Sequence, residues 1–166
     1  MIPVALDPAR LRLAIAGVGA TAERRKAQLT RGGAEPVSID LSAPAFSGID
    51  VVWITGLSDP QAATLAQEAR KAGALVNVED RPELCDFHSV AELRQGALLI
   101  GVSTGGESPG LAQRVRDRIA VLLGSEWADR VARLGALRRS WRREGRSIHE
   151  LARLTNEEID RAGWLA

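Results

Sequence analysis

From Leu11 to Arg31 the chain runs through an apolar stretch (LRLAIA), two glycines one residue apart (Gly17 and Gly19) and a charged, helix-favouring stretch (AERRKAQLTR). A strand that turns into a helix within a few residues admits few folds. The turn must be tight, which glycine allows. The strand must be apolar on both faces, because the helix packs back over it. Three more apolar runs follow, at Pro36–Leu41, Asp50–Thr55 and Ala74–Val78. Asp59-Pro60 reads as the start of a helix reaching about Lys71, with Asp59 as N-cap. Strand and helix alternate, which predicts an α/β fold with a parallel sheet.

The rhythm changes after Asp80. The reading there is a loop to Gly96, a fifth strand over Ala97–Ser103, and a helix from Ser108-Pro109 to about Leu123. Helical sequence follows, with Ser125 as an expected N-cap and capping-box patterns at Ser147–Glu150 and Thr155–Glu158. The expected divisions are residues 1–80 for a nucleotide-binding domain, 81–110 for a dimerisation segment with the fifth strand, and 111–166 for a small helical domain.

Apolar residues make up 45% and charged residues 26% of the 166 positions, which is neither a disordered nor a membrane composition. No apolar run approaches the ~18 residues of a membrane span, and no secretory leader is visible. The single cysteine fits a reducing, cytoplasmic setting. Net charge is +1, but arginines crowd the stretch from Arg130 to Arg146. That run reads mainly as a solvated helix face, with some arginines available to an anionic substrate. Nucleic acid is not expected, because stacking aromatics are sparse there.

Gly17-x-Gly19-x-x-Ala22 between a strand and a helix matches the dinucleotide fingerprint. Gly17, Val18, Gly19, Ala20 and Thr21 are therefore candidate cofactor-binding residues, with a diphosphate on the helix N-terminus. Asp40 ends the second strand roughly 20 residues on, where a carboxylate accepts from ribose hydroxyls and favours NAD over NADP. Thr55 ends the third strand. Asp80 follows the fourth, and position alone reads it as a cap or turn residue. Cys85-Asp86-x-His88 does not have a metal-ligand spacing, and no metal site is expected. Glu83 and Asp86 argue against a reactive Cys85 thiolate.

Three blocks carry a family resemblance: AGVGATAERRKAQL, VNVEDRPELCDF and LLIGVSTGGESPGLAQRVRDRI. They resemble the precorrin-2 dehydrogenase/sirohydrochlorin ferrochelatase family, the dehydrogenase-chelatase module of siroheme synthase. The resemblance covers roughly residues 11–123. It implies a Rossmann-type parallel sheet, a dimerisation segment and a small helical C-terminal domain. It implies NAD-dependent oxidation of precorrin-2 to sirohydrochlorin by a homodimer, in some members followed by ferrous iron insertion to give siroheme. Asp80 matches the family's catalytic aspartate. Asn77, Thr104, Gly105, Gly106 and Ser108 match its tetrapyrrole-binding blocks. His88 stands where relatives commonly carry an apolar residue, and a transient iron ligand is the weaker of its readings. The connection Ser42–Ile49 is shorter than the family's, so one crossover is expected to be missing. The rival readings are an NAD-sensing module without chemistry, a tetrapyrrole carrier and a chelatase alone.

Overall fold

The computed structural model describes residues 1–165, which divide into two units, Met1–Ser89 and the described residues from Val90 onward. In the first, β1 (Leu13–Gly17), α1 (Gly19–Arg31), β2 (Val37–Ser38), β3 (Val51–Thr55), α2 (Asp59–Lys71) and β4 (Leu75–Val78) build an α/β layer. All strand pairs are parallel and the order is β2-β1-β3-β4. This is a Rossmann-type sheet. The glycine loop leaves β1, which is flanked on both sides.

Alternation sorts the strand residues onto two faces. Ala14, Ala16, Val52, Ile54, Val76 and Val78 pack against Ala62, Leu65, Ala66 and Ala69 of α2. The alanines let the helix axis come close to the sheet. Leu13, Val51 and Trp53 line the other face with Ala34, and Leu11, Leu29 and Phe87 close over them. No helix connects β2 to β3. Instead Phe46 and Ile49 turn inward and bury in the α2-side core, which is how the short connection replaces a crossover. β2 is left as a two-residue, exposed edge.

α2 starts one residue earlier than the sequence suggested. Ser58 is the N-cap, and Gln61 Oε1 accepts from both the Ser58 amide (3.4 Å) and its hydroxyl (2.8 Å). Asp59, the expected cap, is instead the ion-pair partner of Arg81.

In the second unit, β5 (Ala91–Gln95) and β6 (Leu98–Val102) form an antiparallel ribbon, followed by α3 (Pro109–Leu123), α4 (Trp127–Arg143) and α5 (Ile148–Arg161). Several expectations are corrected here. Residues 81–96 are not simply a loop: they hold a 3-10 turn at Pro82–Leu84 and the whole of β5. Residues 98–102 belong to the ribbon and not to the parallel sheet. Glu126 rather than Ser125 caps α4. The Ser147–Glu150 capping box forms, whereas Thr155 lies inside α5 and donates to the Leu151 carbonyl at 2.7 Å. A Thr–Glu pattern caps only where the backbone leaves the helix, and nothing here breaks it.

The arginine run divides by contact. Arg130 stacks over Trp127 and Trp164, with Arg133 also over Trp164. Arg138 donates to Leu151 O and Thr155 Oγ1 on α5. These side chains join α4 to α5. Arg139, Arg142 and Arg143 are exposed.

Candidate functional site

Two glycines create the first part of the site by allowing backbone to meet backbone. Gly17 stands opposite Thr55 in the β1–β3 ladder. A Cβ on Gly17 would overlap the Thr55 carbonyl and lie 2.9 Å from its Cγ2. A Cβ on Gly56, which has φ +70°, would overlap the Val18 carbonyl. The tight turn itself belongs to Gly19, at φ +72°. Gly17 is therefore there for close approach and Gly19 for the turn.

The start of α1 is open. Val18 precedes it in extended conformation with no side-chain cap, and the first turn holds no acid. Nothing lies within 4 Å of where a Gly19 Cβ would be. The unpaired N–H groups of a helix start carry partial positive charge. A diphosphate fits this cradle: its charge matches, and its approach is unobstructed. Ala20 is exposed, and the Thr21 hydroxyl turns back to the Val18 carbonyl at 3.5 Å.

Asp40 lies just past β2 and is exposed. Its Oδ1 accepts from the Ser42 hydroxyl (2.7 Å) and the Ser42 amide (2.9 Å). These bonds hold its carboxyl below the ordinary aspartate value and keep it an acceptor. Both β2 and β4 deliver a carboxylate to the same edge, because parallel strands share a carboxyl end.

Beyond β4 the chain is clamped. The Glu79 amide donates to Ile54 O at 2.9 Å, extending the ladder by one residue. Asp80 follows at φ +60°, the one non-glycine in the left-handed region among the described residues. The clamp has three parts. Arg81 Nε donates to Asp59 Oδ1 (2.8 Å) and its Nη2 to Leu57 O (3.1 Å). Cys85 Sγ accepts from the Val78 amide at 3.2 Å. Asp86 Oδ2 accepts from the Val76 amide at 2.9 Å, while Arg70 Nε holds its Oδ1 at 2.9 Å. Cys85 and Asp86 are thus fasteners for the turn that presents Asp80. Asn77 is buried and donates to Phe87 O at 2.9 Å, so its amide holds the 85–89 segment against β4. His88 is half-buried in that segment. Among the described residues no three His, Cys, Asp or Glu side chains converge as a metal site would need.

Glu79 was not singled out from the sequence. It accepts a hydrogen bond from the buried Thr55 hydroxyl, and its Oε1 lies 3.9 Å from Arg24 of α1. Period-2 alternation could have found it: Val76 and Val78 face α2, so Glu79 must face the other side, where α1 begins.

The remaining predicted residues belong to the second unit. Thr104 Oγ1 accepts from the Ser108 amide (3.0 Å), and Ser108 Oγ caps α3 by accepting from Leu111 N (3.3 Å). Gly105 and Gly106 between them are both left-handed.

Residues 95–122 match the family model "Sirohaem biosynthesis protein central", and residues 38–91 match an NAD(P)-binding family model. A siroheme synthase from Methylococcus capsulatus is 45% identical over 74 residues, covering 45% of this chain and 15% of its own. One from Thiobacillus denitrificans is 36% identical over 100 residues, covering 59% and 20%. Over these stretches the chain is similar to siroheme-biosynthesis proteins. It spans a fifth or less of the length of these siroheme synthases. Among solved structures, SirC, a precorrin-2 dehydrogenase, superposes with a TM-score of 0.76 at 19% identity, covering 100% of this chain and 93% of that one. That likeness concerns the fold. The NAD(P)-binding match begins after the glycine loop, so the case for the loop itself rests on its geometry.

Proposed function

We propose that the chain is an NAD-dependent precorrin-2 dehydrogenase, forming sirohydrochlorin in siroheme biosynthesis. The observation that carries this reading is the carboxyl edge of the parallel sheet. An uncapped helix start, a left-handed Gly19 with open space before it, and carboxylates after β2 and β4 occur together there. They do so in a chain matched by one siroheme-biosynthesis model and one NAD(P)-binding model.

Bound NAD+ would accept a hydride from a macrocycle carbon, so the protein needs chiefly to position reactants and take a proton. Backbone amides from Gly17 to Thr21 hold the diphosphate, and Asp40 accepts from a ribose diol. Asp80, exposed on its clamped turn, takes the proton. In the second unit the Thr104-Gly105-Gly106 loop and Ser108 are the elements we assign to the tetrapyrrole. Homodimer formation and ferrous iron insertion are further parts of the proposal. Dimerisation is supported by how little apolar surface the second unit buries.

The decisive experiment is anaerobic incubation with precorrin-2 and NAD+, following NADH and sirohydrochlorin by absorbance. Stoichiometric appearance of both is expected. Absence of NADH formation with intact protein rejects the reading. The wider siroheme-pathway assignment would then fall back on chelation or carriage.

A further inference from the structure

We propose that Glu79 is the carboxylate that receives the second, nicotinamide-side ribose of the dinucleotide, as the counterpart of Asp40 on the other side of β1. The inference rests on the cofactor reading above.

The sheet order places β2 on one side of β1 and β3, then β4, on the other. A dinucleotide whose diphosphate sits at the start of α1 sends one ribose each way along the carboxyl edge. On the β2 side a carboxylate, Asp40, stands just beyond the strand. On the opposite side the corresponding group is Glu79. β2 and β4 are three strand spacings apart, roughly 14 Å, a span that two riboses joined by a diphosphate can bridge.

Two contacts aim Glu79 at that position. Its amide N–H donates a hydrogen bond to Ile54 O, which keeps its backbone in the ladder and turns the side chain to the α1 face. The Thr55 hydroxyl donates to its Oε2, drawing the carboxylate back over β3. Thr55 faces Gly17 across the ladder, and Gly17 has no side chain to stand between this pair and the glycine loop. Among the described residues, the second oxygen, Oε1, has the 3.9 Å approach of Arg24, whose own side chain is 69% exposed. An ion pair that long and that exposed adds little stability. A hydroxyl diol suits the site better than a phosphate, because the carboxylate accepts from hydroxyls and repels a phosphate.

The test is calorimetric binding of NADH, ADP-ribose and ADP to the wild-type chain and to E79A, E79Q and D40A. ADP-ribose carries the second ribose and ADP does not. E79A is expected to weaken NADH and ADP-ribose about tenfold, the effect of losing one hydrogen bond to a charged acceptor, and to leave ADP unchanged. E79Q, which keeps an acceptor for Thr55 and nearly the same volume, is expected to fall between wild type and E79A with an unaltered melting temperature. D40A is expected to weaken all three ligands. The proposal is overturned if E79A binds NADH like wild type, or loses ADP as strongly as NADH. Those results leave the cofactor reading intact, whereas failure of the wild-type chain to bind any of the three removes both.

Discussion

Asp80 has a backbone role and a proposed chemical role, and substitutions can separate them. Its left-handed φ favours glycine, tolerates Asn and Asp, and costs a residue such as Ala about 1–2 kcal/mol. D80G is therefore expected to be at least as stable as wild type, D80N close to it, and D80A less stable by about 1 kcal/mol in urea unfolding. All three are expected to lose turnover by about 10²–10⁴, the usual worth of a general base. If D80N turns over precorrin-2 within a few-fold of wild type while binding NADH normally, Asp80 is not the base. The identity of Asp80 as a strand-end carboxylate was legible from the apolar run before it. A turn there was legible as well, but its left-handed backbone was not, because most turn positions keep φ negative. Glu79 was not legible for a related reason: the apolar run ends at Val78, and nothing in the sequence marks that the ladder continues one residue further.

At the scale of elements, Gly17 and Glu158 each support one junction. G17A drives a methyl group into the Thr55 carbonyl across the β1–β3 ladder. Backbone cannot move aside as a flexible side chain can, so a loss of about 1–3 kcal/mol is expected in denaturant unfolding of the first unit. Unchanged stability would show that β1 and β3 can separate at Thr55 without cost. In the second unit, Glu158 of α5 is buried between Arg161 (2.5 Å) and Arg133 of α4 (2.6 Å). The Arg161 hydrogen bond, helped by the charge of Arg133, holds its carboxyl below the ordinary value of 4.5 against the opposing effect of burial. A depressed carboxylate stabilises above its unfolded pKa and loses that contribution as pH falls through the folded one. Thermal stability is therefore expected to drop as pH falls from about 5, and E158Q is expected to flatten that part of the profile while lowering stability at neutral pH. An E158Q melting curve parallel to wild type across this range would refute the role. The parallel strands and main helices were legible because their apolar runs are strong and bounded by Gly or Pro. β5 was not: in AELRQ the apolar side of the alternation is only Ala91 and Leu93, and no residue of the strand is fully buried, so the pattern is too short to mark a strand.

For the molecule as a whole, the two units differ in how far their own chain covers them. The first buries a continuous two-faced core. In the second, Ala112 and Leu151 are the buried apolar side chains among the described residues, while Leu99, Leu111, Val115, Val121 and Leu122 are exposed. Leu111, Val115 and Leu122 recur at helical spacing and form one stripe along α3, with Arg118 among them. A two-stranded ribbon is marginal in water by itself. An exposed apolar helix stripe is surface of the kind that a subunit interface buries. A second copy of the chain would cover both at once, which is why dimerisation belongs to the proposed function. The expected result is a dimer in sedimentation equilibrium at micromolar concentration. A charge placed in the stripe, as in L122D, is expected to shift the chain to monomer and to make melting of the second unit insensitive to protein concentration. L122D changes a side chain already 68% exposed, so it leaves the first unit's core alone, and NADH binding serves as the control. A wild-type chain that sediments as a monomer at every concentration, or an L122D chain that remains dimeric, rules out this face as the interface.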